Sequence, residues 1–91
     1  MAAAQISVES SGGSVYRVVV TQGRNKTTHD VTVTPEDLAR YAPDAPPERL
    51  LEASFEFLLE REPASSILSR FALPVIEGYF PEYPRVIRKM V

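Results

Sequence analysis

The 91-residue chain has no cysteine and no tryptophan, one histidine and four glycines. Without cysteine there is no disulfide framework and no thiolate metal site, and His29 is the only imidazole that could serve as a ligand or a base. Long apolar runs are missing too. None approaches the roughly 18 residues that a membrane-spanning helix needs, and the opening MAAAQIS has neither the basic nor the apolar region of a secretion signal. These gaps lead to the expectation of a cytoplasmic protein with no membrane association. An excess of one charge is likewise lacking: ten Lys and Arg stand against twelve Asp and Glu, so no overall field drives the chain toward nucleic acid or an anionic surface. No phosphate loop, metal-ligand cluster or nucleophile–base pair occurs, and the expectation is a non-enzyme without cofactor or metal.

What is present is proline, eight residues of it, and a hydrophobic content that suits one ordinary core. A chain of this length supports a single domain, 1–91. Residues 5–34 read as strands. β-Branched residues dominate, and apolar positions recur with period two at Ile6 and Val8, at Tyr16, Val18 and Val20, and at Val31 and Val33. The turn chemistry of 10–14 and 22–26 separates three such runs, which predicts a three-stranded antiparallel meander with one face in water and one covered by helices. At Thr34-Pro35-Glu36-Asp37 the period changes to that of a helix, with a threonine N-cap, proline at the first position and acids in the first turn.

After a proline-rich connector over 42–47, the stretch from Pro47 to Glu62 places Leu50, Leu51, Phe55, Phe57, Leu58 and Leu59 around roughly 240° of a helix at about 100° per residue. That predicts a central helix, and Ser54 inside its apolar arc should bond back to the carbonyl four residues earlier. Pro63, Pro74 and Pro81 divide the remainder into shorter helices, 64–71, 75–80 and one ending near Lys89. The predicted class is therefore α+β, a meander packed against a central helix and short C-terminal helices.

Two features could form an interaction surface. Glu48, Glu52, Glu56 and Glu60 recur every four residues and make an acidic stripe, read most simply as a solvated face and functionally as a site for a basic partner. Tyr79, Phe80 and Tyr83, punctuated by Pro81 and Pro84, could line a groove, though such clusters more often seal the end of a small core. His29 and adjacent Asp30 point to opposite faces of a strand and cannot form a dyad with each other, and with no partner for a general base to be named His29 reads as a strand-end histidine. The pair of expected helices from Ala64 to Phe80 invites a helix-turn-helix reading with Arg70, Arg85, Arg88 and Lys89 on phosphates. The would-be recognition helix offers Glu77 and apolar groups instead of base-reading side chains, which argues against it.

At Phe55-Glu56-Phe57-Leu58-Leu59-Glu60-Arg61-Glu62-Pro63, Ser66-Ile67-Leu68, Arg70-Phe71, Val75-Ile76 and Tyr79-Phe80-Pro81-Glu82-Tyr83, the sequence resembles a family of short, uncharacterised bacterial proteins. The resemblance covers about half the chain and implies a small bacterial cytoplasmic domain, with an ion-pair corner at Glu60-Arg61-Glu62-Pro63. It carries no activity with it. The functional expectation is an interaction module for a protein partner of unknown identity, or a homo-oligomer; the alternative is the nucleic-acid binder.

Overall fold

The computed structural model describes residues 4–91, so the first residues of the MAAAQIS stretch lie outside the described residues. Three eight-residue strands, β1 (Gln5–Gly12), β2 (Val15–Gln22) and β3 (Asn25–Thr32), form the expected antiparallel meander. Helices α1 (Pro35–Tyr41) and α2 (Pro47–Leu59) follow, then a 3-10 turn at Ala64–Ser66, a short strand β4 (Arg70–Ala72), and helices α3 (Val75–Tyr79) and α4 (Tyr83–Met90). The sheet order is β1-β2-β3-β4, and β4 runs parallel to β3.

Local chemistry sets these boundaries. Gln22 and Asn25 pair across the tip of the second hairpin, and Gly23 takes φ 62° as the first residue of its two-residue turn, a position that disfavours a side chain. The first hairpin carries a bulge between Ser10 and Gly12, and β1 extends through residues expected to belong to the turn. At Thr34 the hydroxyl accepts from the Asp37 amide at 3.2 Å, while the Asp37 carboxylate accepts from the Thr34 amide at 2.9 Å. The predicted N-terminus is thus a reciprocal capping box.

The central helix stops at Leu59 instead of Glu62. The amides of Arg61 and Glu62 both bond the Leu58 carbonyl in a tightened last turn, because Pro63 draws its predecessor away from helix. The segment 64–71, expected to be a helix, forms only the 3-10 turn before joining the sheet. Its strand is held by backbone bonds, from the Asp30 amide to the Ser69 carbonyl at 2.8 Å and from the Leu73 amide to the Thr32 carbonyl at 3.0 Å.

One face of the sheet carries Val18, Val20, His29, Val31 and Phe71, and it meets Leu50, Leu51, Phe55, Phe57, Tyr83 and Ile87 in one core. The other face is open. Register places Glu9, Arg17, Asp30 and Arg70 in a row across its four strands, with Arg17 Nε 3.5 Å from Asp30 Oδ1. Alternating charge across neighbouring strands supports this pairing modestly, by about 0.2–1 kcal/mol per pair.

Candidate functional site

The largest exposed apolar side chains converge. Leu68, Val75 and Tyr79 are 47%, 37% and 68% exposed, and with Val91 they are the exposed large hydrophobics among the described residues. All three border one groove, of about 140 Å³, between the end of α2, the 3-10 turn with β4, and α3. Ile67, Phe71 and Ile76 supply its buried side, and Leu58 and Phe80 add wall. Its polar side chains are Glu62 and Ser66, so the cleft can take an apolar group and present one carboxylate beside it.

The aromatic end read from the sequence divides. Tyr79 is on the rim and Phe80 packs edge-on against Phe57 at 5.8 Å, but Tyr83 is completely buried and forms no part of a surface. The Tyr83 hydroxyl meets Ser54 Oγ at 2.7 Å, and Ser54 also donates to the Leu50 carbonyl at 2.7 Å, the expected back-bond. Spacing explains the burial: Tyr83 and Ile87 stand four apart on α4 and face the core together.

The acidic stripe lies on the exposed side of α2. Glu48, Glu56 and Glu60 are exposed, while Glu52 is half-buried and paired with Arg49 at 2.8 Å. Arg49 also donates to the Met90 carbonyl, tying α2 to the end of α4. None of the four lines the groove; their neighbour Glu62 does.

The four cations of the alternative reading are not gathered by a helix pair. Arg70 sits on the open sheet face, whereas Arg85, Arg88 and Lys89 occupy the exposed side of α4, where Arg88 donates to the Arg40 carbonyl. With a 3-10 turn and β4 in place of the first of the two helices expected over 64–80, the alternative reading has no helix pair to build a helix-turn-helix from.

His29 is no strand-end residue. It lies inside β3, 2% exposed, with its ring 5.2 Å from that of Phe55. Nδ1 lies 2.8 Å from the Leu68 carbonyl, and because a carbonyl only accepts, Nδ1 carries the proton. Nε2 completes the arrangement with Thr27 Oγ1 at 2.9 Å. Both ring nitrogens are therefore occupied by structural bonds, and among the described residues no carboxylate is hydrogen-bonded to them as in a catalytic dyad. The groove rim at Leu68 is held from behind by this histidine.

The corner implied by Glu60-Arg61-Glu62-Pro63 exists with a different partner. Arg61 stacks over Phe57 at 3.6 Å, donates to the Phe57 carbonyl at 3.0 Å, and pairs with Glu82 at 3.3 Å; Glu60 is more distant, at 3.9 Å. The Glu82 carboxyl is held below its usual range, first by its own backbone N–H, which outweighs the desolvation that opposes it, and then by the hydrogen bond and charge of Arg61. This clamp joins the end of α2 to the start of α4 and fixes Phe80 between them.

On the opposite flank, the Tyr41 hydroxyl donates to Glu77 Oε1 at 2.7 Å, and Arg40 pairs with the same carboxylate at 2.9 Å. Burial, then the Glu77 hydrogen bond and charge, push the Tyr41 phenol up to about 12, with Arg40 opposing. Burial pushes Tyr83 up further, against the Ser54 hydrogen bond. A folded-state value above the unfolded value of about 10 means that the native state holds its phenolic protons more tightly than the unfolded chain. The stability this contributes is complete below about pH 10 and is lost as pH rises through about 12. Urea midpoints should therefore fall over that interval, and Tyr41→Phe should flatten the fall. An equally steep decline in the variant would count against the assignment.

Among the described residues no group of three His, Asp or Glu side chains is placed to hold a metal ion, and no helix is long and apolar enough to cross a membrane. Compared with family models, with curated proteins and with solved structures, the chain matches none.

Proposed function

We propose that the chain is a non-enzymatic protein-interaction module of a cytoplasmic protein, receiving an apolar side chain of a protein partner in the groove between α2, β4 and α3. One observation carries this reading: Leu68, Val75 and Tyr79, three of the four exposed large hydrophobics among the described residues, border the same cleft. Isolated surface apolar residues need no explanation, but their grouping around a concavity is the usual mark of a recognition site. Size supports it as well. A cavity of about 150 Å³ holds a benzene ring, so a groove of about 140 Å³ suits one large aliphatic or aromatic side chain.

Selection of short random peptides on the immobilised protein tests the proposal, with the double variant Leu68→Ser/Val75→Ser as counter-target. Both positions are partly solvated, so the variant should keep its thermal midpoint to within a few degrees. Peptides enriched on the natural protein should bind the double variant about tenfold more weakly or worse, the loss expected when one anchor contact is removed. Equal binding to both, or no enrichment, would end the proposal.

A further inference from the structure

The groove has a chemical bias that its apolar rim does not reveal. Glu62 is its only charged lining residue, half-buried in the turn that follows α2. The nearby cation is already engaged: Arg61 is committed to Phe57, Glu82 and, at longer range, Glu60. Among the described residues no Lys, Arg or His nitrogen stands within 4.0 Å of the Glu62 carboxylate. A carboxylate half out of water beside an apolar cleft binds a cationic donor more strongly than one in open solvent, through a charge-assisted hydrogen bond.

Resting on the groove reading above, the geometry points to a partner segment with two parts: a large apolar residue seated between Leu68, Val75 and Tyr79, and a lysine or arginine close to it in sequence that reaches Glu62. The apolar anchor supplies affinity and the cation supplies direction, because a segment lying the other way along the cleft would leave Glu62 unpaired. A segment with an acid at that position is rejected by like charge. The acidic stripe at Glu48, Glu52, Glu56 and Glu60 attracts the same kind of partner at longer range without touching the seated residue.

The test uses peptides from the random selection, measured on the natural protein, on Glu62→Gln and on Glu62→Lys. Glu62 is partly solvated and bonded to nothing through its side chain, so all three proteins should fold alike. Groove-dependent peptides should carry a basic residue near a large apolar one. They should lose about threefold to tenfold in affinity on Glu62→Gln and more on Glu62→Lys, and the difference should shrink in high salt. Groove-dependent peptides that lack a basic residue, or that bind Glu62→Lys unchanged, would overturn this inference and leave the groove itself standing. Peptides that ignore the Leu68→Ser/Val75→Ser change would remove the groove and this inference together. Sedimentation showing a dimer that the double variant abolishes would assign the cleft to a second copy and overturn the partner chemistry.

Discussion

Phe57→Ala is expected to lower the stability of the domain by about 3–5 kcal/mol, the usual range for deleting a fully buried aromatic ring. Phe57 has no exposed surface and meets Tyr83 edge-on at 5.3 Å and Phe80 at 5.8 Å. The ring is also the platform for the Arg61 guanidinium, 3.6 Å from its centroid. Truncation opens a cavity and removes two aromatic contacts and the cation–π contact, each worth about 0.5–1.5 kcal/mol. The surroundings have little freedom to collapse into the gap, because Tyr83 is fixed by Ser54 and Arg61 by Glu82. Urea unfolding should show the midpoint falling with little change in slope. Phe57→Leu, which keeps most of the volume, should lose much less. A shift below about 1 kcal/mol for the alanine variant would mean that the α2–α4 junction is not the packed centre described here.

The same junction shows how far the sequence could be read. The span of apolar residues on α2 announced a helix buried on most sides, and Leu50, Leu51, Phe55, Phe57 and Leu58 are all core residues. The capping box at Thr34 and the back-bond of Ser54 were legible because both are local, three or four residues apart. Strand β4 was not. Arg70-Phe71-Ala72 is too short to display alternation, and it is a strand only because β3 offers it a parallel edge, a non-local fact that overrides the helical look of 64–71. The groove exists because this segment is a strand, since a helix there would have placed Leu68 and Phe71 on one face instead of on the rim and buried side of a cleft. Much of the wording that carries the resemblance proves to be core: Phe55, Phe57, Leu58, Ile67, Phe71, Ile76 and Tyr83 are buried. Leu68, Val75 and Tyr79, exposed around the groove, are the large apolar residues of that wording whose placement packing alone does not explain.

The position of His29 is hidden from the sequence for the same physical reason. Its partner is a backbone carbonyl 39 residues away, a group that no side-chain pattern can announce. His29→Leu places an apolar side chain of similar bulk against Phe55 but removes the donor to the Leu68 carbonyl, and the expected cost is about 1–3 kcal/mol, the penalty for leaving a buried polar group unpaired. Thr27 contributes little to that cost, because its half-buried hydroxyl can turn to water once the imidazole is gone; Thr27→Val in the natural background is different, since it leaves the buried Nε2 without a donor, and it should itself cost about 1–3 kcal/mol. The loss in His29→Leu should also be local. The Asp30 amide bonds to the Ser69 carbonyl, next to Leu68 in the chain, and β4 has only a few such bonds to β3. Amide exchange at Asp30 should quicken in His29→Leu by more than the global destabilisation requires, while amides of the β1–β2 hairpin follow the global change. Because Leu68 forms the groove rim, peptides selected on the natural protein should bind this variant more weakly, although His29 touches none of them. If instead stability falls by less than about 0.5 kcal/mol and Asp30 exchange is unchanged, the histidine is filling space and the rim is held by the strand pairing alone.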